Sequence, residues 1–168
     1  NVRSSDYNSL RCRPRPSHAD YTAELKYHGF QDPRGGGHFS GRVTAAIVAA
    51  GAVCLQALEN KGIKIGTHIL RCGEVEDASF ADYEAEIAAL SDKQFPVINE
   101  LEEQMREQIA AAAAQGDSVG GVIQTAIVGL PAGVGEPWFD SLEGVISRAV
   151  FAIGGIKGIE FGLGFGFG

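Results

Sequence analysis

Two short stretches near the start of the chain hold residue types that together can bind an anion and move a proton. In Arg13-Pro14-Arg15-Pro16-Ser17-His18-Ala19-Asp20 the prolines stiffen the backbone, so Arg15 and His18 are presented with little freedom. A guanidinium fork recognises phosphate or carboxylate through two parallel hydrogen bonds, and an imidazole can give or take a proton near neutral pH. The second stretch, Arg34-Gly35-Gly36-Gly37-His38-Phe39-Ser40-Gly41-Arg42, directly precedes a long apolar run. Its three glycines let a ligand approach the backbone, and a helix starting after them offers free N–H groups and its positive dipole end. Ser40 and Arg42 stand where their side chains can add to that anion site. The pattern is not a P-loop, because no Gly-Lys-Ser/Thr follows it. Each stretch alone also reads as a solvated basic turn, with Ser40 serving only as a helix cap. Together they predict one anion pocket with an imidazole beside it.

Other chemistry-bearing residues point to bland roles. His28 and His68 stand alone in sequence and read as satisfied or exposed. The acidic run Glu74, Glu76, Asp77, Asp82, Glu84 and Glu86 lacks the spacing of a calcium loop and reads as a solvated face, so no metal site is expected. Cys54, inside an apolar run, reads as an inert buried thiol, and Trp138 and Phe139 as core.

The elements that must position these groups follow from periodicity. Residues 1–41 show no sustained period and read as loop, the usual carrier of chemistry on a scaffold. Val43–Leu58 is uncharged, with no polar face, and predicts a helix buried on most sides, ended by Glu59-Asn60-Lys61-Gly62. Ile63–Cys72 alternates with β-branched residues and predicts a strand. Ser79 with Asp82 reads as a capping box opening a short helix through Leu90. Pro96 opens a longer helix with the stripe Ile98, Leu101, Met105 and Ile109, a Glu102–Arg106 pair, and a stop at Gly116. Val119–Val128 is the next strand, Pro137–Ile153 a helix, and Ile156–Phe161 a short strand before a glycine-rich end. Helices alternating with strands predict a layered α/β fold, and residues 1–168 are expected to form a single domain.

Composition limits the function. The 168 residues include 45% hydrophobic and 21% charged residues, as in ordinary globular proteins. The net charge of −7 is divided unevenly: residues 1–42 carry +3 and the remainder −10. A basic, His-bearing segment on an acidic body suits a small anion and disfavours nucleic acid. The 16-residue run Val43–Leu58 is short for a membrane span, and the 18-residue stretch Ser118–Gly135 contains Pro131 and five glycines. A soluble chain with no membrane partner is therefore expected. Three cysteines (Cys12, Cys54, Cys72) without a CxxC argue for a reducing, cytoplasmic setting.

The motifs taken together resemble one family. Arg15-Pro-Ser-His18-Ala-Asp20-Tyr, Lys26-Tyr27 and Arg34-Gly-Gly-Gly-His38-Phe-Ser40-Gly-Arg42 are similar to the signature of chorismate synthases. So are Gly116-Asp-Ser-Val-Gly-Gly-Val-Ile, Leu130-Pro-Ala-Gly-Val-Gly-Glu136-Pro and Ile156-Lys157-Gly-Ile-Glu160-Phe-Gly, in the same order along the chain. The resemblance implies a lyase of the last step of the shikimate pathway, hence of aromatic amino acid biosynthesis. Its reaction is the 1,4-elimination of phosphate from 5-enolpyruvylshikimate 3-phosphate, giving chorismate. The flavoprotein family needs reduced FMN (FMNH2) without net redox change. The implied fold is a β-α-β sandwich with long central helices between antiparallel sheets, assembled as a homotetramer.

Position by position, the resemblance implies that His18 is catalytic and protonates the reduced flavin. It places the substrate's anionic groups on Arg15, Ser40 and Arg42, and the flavin beside His18, His38, Phe39, Ser40, Gly154 and Gly155. Many members have Arg-Ser-Ser where this chain has His38-Phe39-Ser40, and Asn-Ala or Pro-Ala where it has Gly154-Gly155. Family chains also begin well before Asn1, with a second catalytic histidine, and continue past Gly168 with a flavin-phosphate loop. The expectation is a central piece of such an enzyme, inactive alone. The rival expectations are a noncatalytic folding and assembly core, or an unrelated nucleotide-binding enzyme that uses the glycine-rich loop.

Overall fold

The computed structural model describes residues 4–9 and 13–168; Cys12 and its expected thiol state lie outside the described residues. The chain is mixed α/β and divides into two compact units, one of residues Ala52–Glu136 and one of Asn1–Gly51 with Pro137–Gly168.

Unit Ala52–Glu136 is built on a three-stranded antiparallel sheet of order β2-β1-β3. The predicted β-branched strand is β1 (Lys64–Cys72), and it pairs with β3 (Gly121–Val128) from Lys64 opposite Val128 to Cys72 opposite Gly121. A two-residue strand β2 (Val75–Glu76), not foreseen in the sequence, folds back on Arg71 and Cys72 through a turn in which Gly73 takes φ 58°. The register of β1 on β3 slips between Ile69 and Arg71, a β-bulge at Leu70.

Two hydrophobic clusters clamp this sheet. Phe80, Ile87, Leu90 and Ala126 form one, and α3 (Tyr83–Leu90) supplies Ile87 and Leu90. Cys72, Val97 and Met105 form the other, with Met105 on α4 (Glu102–Ala114) fully buried. Both helices start later than their sequence signals suggested. The cap of α3 is Asp82, which accepts a hydrogen bond from Ala85 N at 3.1 Å, and not Ser79. Glu86 reaches back to accept from the N–H groups of Ala81 and Asp82. The stretch from Pro96 stays out of α4 because the Asp77 carboxylate takes the N–H groups of Ile98 and Asn99, the donors a helix start would leave free. Asp77 is thus buried, not part of a solvated acidic face. The predicted Glu102–Arg106 pair forms at 2.7 Å.

The other unit holds the two motif stretches. Within the region read as loop, Asp20–Tyr27 is a helix, α1, closed by His28 in the left-handed conformation with its N–H on Glu24 O. Sequence periodicity missed it because only Ala23 is buried; Tyr21 and Leu25 point outward. Residues 34–39 form a tight turn, and Gly41–Val43 a single 3-10 turn that runs into α2 (Thr44–Glu59). The helix α2 departs from expectation: none of its side chains is buried, and Val48 and Val53 are 70% and 69% exposed. Among the described residues no element covers its apolar side chains, so Cys54 is exposed as well. With its preceding turn the helix runs 19 residues, Gly41–Glu59, long and apolar enough by length and composition to cross a membrane.

Beyond Pro137 the predicted helix is shortened to α5 (Leu142–Val150), capped by Ser141 Oγ accepting from Gly144 N. Trp138 has φ 73°, outside the helical region, and Trp138 and Phe139 are exposed rather than core. Residues 156–161 form no strand.

Candidate functional site

Arg15 is partly buried and turned back on its own segment. Its Nε donates to Asp20 Oδ2 at 2.8 Å and its Nη2 to Asp20 Oδ1 at 2.9 Å, while its backbone N–H donates to Oδ2 at 3.0 Å. Hydrogen bonding from this guanidinium holds the Asp20 carboxyl down at about 2. Among the described residues the Arg15 Nη1 and one Nη2 hydrogen meet no acceptor. Ser17, at φ 64°, bends the chain between Arg15 and His18, and the exposed His18 makes no side-chain hydrogen bond among the described residues. The proline-stiffened presentation is therefore reinforced by an ion pair.

The glycine turn is shaped by the residues on either side of it. Gly35, Gly36 and Gly37 all have positive φ (60°, 82° and 51°), a run that L side chains rarely tolerate. The guanidinium of Arg42 lies on Gly35 so closely that a Cβ there would sit 2.6 Å from Nη1. Arg42 Nη2 also donates to the Arg34 carbonyl at 3.4 Å. Arg34 itself is clamped by Asp32, Nε to Oδ1 and Nη2 to Oδ2, each at 2.8 Å. That hydrogen bonding holds the Asp32 carboxyl well below its usual range. Ser40 Oγ accepts from Arg42 N at 3.4 Å, so Ser40 caps the turn leading into α2. His38 and Phe39 are exposed, and Phe39 stands 6.4 Å from the Tyr27 ring. Gly154 and Gly155 lie in a turn after α5, with open space where side chains would be.

Ser40 and Arg42 are thus brought together with the glycine turn. No hydrogen bond, ion pair or ring contact among the described residues joins them to Arg15 and His18, or joins either pair to Gly154 and Gly155. A cleft of about 400 Å³ beside the glycine turn is lined by Tyr7, Asn8, Phe30, Gln31, Asp32, Pro33 and Arg34, none of them a predicted site residue. Sequence reasoning assigned no role to Asp20 and Asp32. Their spacing, Arg15 to Asp20 and Asp32-Pro33-Arg34, was the available signal.

The arrangement offers an anion one guanidinium with a single long hydrogen bond (Arg42), a second with donors to spare (Arg15), and glycine backbone without side-chain obstruction. These features suit an anionic ligand.

Known proteins share this sequence and fold. The sequence profile described as chorismate synthase matches residues 1–167. A protein from Pyrococcus abyssi named chorismate synthase is 44% identical over 98% of this chain and 45% of its own length. One of the same name from Chitinophaga pinensis is 44% identical over 98% of this chain and 41% of its own. A solved structure titled "Crystal Structure of Chorismate Synthase" superimposes with a TM-score of 0.75 at 34% identity, over 88% of this chain and 48% of that one. The chain spans a little under half the length of these relatives.

Proposed function

The chain belongs to the chorismate synthase family, and from that premise we propose that it serves a lyase. The reaction removes phosphate from 5-enolpyruvylshikimate 3-phosphate in a 1,4-elimination that gives chorismate, with reduced FMN bound. The observation that carries this reading is the match along residues 1–167. When bound, the flavin supplies transient electron density to the substrate.

This chain's own residues do the rest. Arg42, laid on the glycine turn, and the spare donors of Arg15 bind and orient the phosphate and carboxylates through charge-assisted hydrogen bonds. Ser40 fixes the start of α2 and keeps Arg42 in place. His18 holds a proton for delivery to the flavin, a role open to an imidazole with no competing partner among the described residues. Phe39, His38 and the bare backbone at Gly154-Gly155 flank the ring. The chain acts as one module of a larger, soluble, cytoplasmic homotetramer and is inactive alone.

Anaerobic assays with substrate and photoreduced FMN test this. The full-length Pyrococcus abyssi relative should release phosphate, and so should a chimera of it carrying these 168 residues in place of its own segment, while the 168-residue chain should not. A chimera that melts like the parent yet releases no phosphate overturns the lyase reading. Turnover by the chain alone overturns its role as a dependent module.

A further inference from the structure

Arg42 is aimed by the turn it lies on rather than by strong bonds of its own. Its Nη2 donates to the Arg34 carbonyl at 3.4 Å, a long bond. Among the described residues its Nε and other Nη hydrogens meet no acceptor. The guanidinium lies flat against Gly35, where a Cβ would be 2.6 Å from Nη1 and 3.2 Å from Cζ and Nη2. Whatever holds the turn therefore sets the direction of these free donors.

Asp32 holds the turn at both ends. At the start, its Oδ1 accepts from Arg34 N at 3.0 Å and from Arg34 Nε at 2.8 Å, while Oδ2 accepts from Nη2 at 2.8 Å. At the end, the Asp32 carbonyl lies against Gly37, where a Cβ would come within 2.7 Å of it. Gly37, at φ 51° and ψ −126°, in turn accepts from Ser40 N at 3.3 Å, and Ser40 Oγ accepts from Arg42 N. One residue thus brackets Arg34–Gly37, and Arg42 sits on the first two residues of that span. Hydrogen bonding from Arg34, helped by the nearby charge of Arg42, keeps the Asp32 carboxyl far below its usual range, so the clamp is ionised at neutral pH. The Asp32 and Arg34 side chains are 44% and 56% exposed, and surface pairs of that kind add little to global stability. The effect of this pair is local. It orders three consecutive glycines, the residues with the most backbone freedom to lose.

We infer that Asp32 is a positioning residue, which through Arg34 and the glycine turn sets the Arg42 guanidinium to meet an anion. Which anion Arg42 meets rests on the lyase reading; how it is set does not. The sign of the effect separates positioning from plain electrostatics. A carboxylate close to an anion site repels the ligand, so removing its charge alone tightens binding. Removing a carboxylate that aims the binding group loosens it.

Calorimetry with inorganic phosphate on the 168-residue chain reads this sign without turnover. Asp32→Ala should weaken binding about tenfold, the scale of one hydrogen bond to a charged group. Asp32→Asn keeps an oxygen for Arg34 N but turns an amide N–H toward Nη2, and should fall between Asp32→Ala and wild type. Where Asp32→Ala does not fold, Asp32→Asn decides alone. Combined with Gly35→Ala, which already unseats Arg42, the loss should stay near tenfold instead of multiplying to about a hundredfold. Phosphate binding that is unchanged or tighter without the carboxylate, losses that multiply, or a wild type that binds no phosphate each overturn the inference. In the chimera, Asp32→Ala should raise the substrate KM about tenfold at nearly constant kcat, and a fall in kcat alone overturns the positioning role. A chimera without turnover, beside an intact phosphate result, refutes the lyase reading and leaves the role of Asp32 standing.

Discussion

Arg15 grips Asp20 with two parallel hydrogen bonds, five residues apart in sequence, across the turn that presents His18. The carboxyl is held at about 2 against an ordinary 3.8, chiefly by hydrogen bonding from Arg15. A depressed carboxyl stabilises the fold above its unfolded value, and that contribution fades as pH falls through the folded one. Wild type should therefore exceed Asp20→Asn in α1 order at pH 6 and lose that advantage between about pH 4 and about pH 2. Circular dichroism across this range checks it; an advantage that persists unchanged at pH 2 counts against the pairing.

Gly35→Ala tests the seat of Arg42. The new methyl would lie 2.6 Å from Nη1 at a φ of 60°, so the guanidinium must move. Occupying the left-handed region costs about 1–2 kcal/mol with a Cβ present. If Arg42 binds anions from this seat, affinity for inorganic phosphate by calorimetry should fall about tenfold, the scale of one charge-assisted hydrogen bond. Gly36→Ala, where the nearest side-chain atom would be 3.7 Å away, should share the backbone cost without moving Arg42.

Contact between β1 and α3 leaves no room for a methyl at Gly66. A Cβ there would come 2.5 Å from Ile87 Cγ1 and 3.0 Å from its Cβ. Gly66→Ala should destabilise the chain by about 1–3 kcal/mol through overpacking, and Gly66→Ala with Ile87→Val should recover part of it. Urea unfolding of the single and double variants measures the coupling. Strict additivity would exclude direct contact as the cause.

Met105→Ala removes a fully buried side chain between α4 and β1 and should cost about 2–5 kcal/mol. Val53→Ala, on the exposed face of α2, should change stability by less than about 0.5 kcal/mol in the same chain. Paired denaturant titrations decide whether burial governs the difference.

Asp82→Ala strips the cap from α3 and should cost about 1 kcal/mol, whereas Ser79→Ala should be near neutral. Comparable losses from both would restore the earlier helix start that the sequence suggested.

The sequence made β1, β3 and the Glu102–Arg106 pair legible because each is a local pattern: alternation in one case, four-residue spacing in the other. It misplaced helix starts where distant groups decide them. Pro96 looks like a helix opening, but the donors that follow it belong to Asp77, some twenty residues earlier. For α2, composition spoke of burial and the structure shows exposure, because hydrophobicity reports what a helix prefers and not what lies over it. At the candidate site the basic and glycine residues were visible as types. The seat of Arg42 was not, since its place on Gly35 depends on backbone angles that no spacing rule encodes. Asp77 and His68 show the same limit, each unremarkable alone and brought within 4.0 Å only by the fold.

The extra residue at Leu70 gives β1 two phases. Gly66 and His68 keep step with Ala126 and Gln124 and answer to α3 and Phe80, while Ile69 and Cys72 join the cluster around Met105. A strand of strict alternation could serve both partners only by moving one of them. Removing Leu70 would leave Ile69, Arg71 and Cys72 opposite Ile123, Val122 and Gly121 in strict alternation, whereas pairing Leu70 itself with Val122 would carry Arg71 and Cys72 each across to the opposite side of the ribbon. Where along this strand the extra residue is absorbed therefore decides which cluster Cys72 joins.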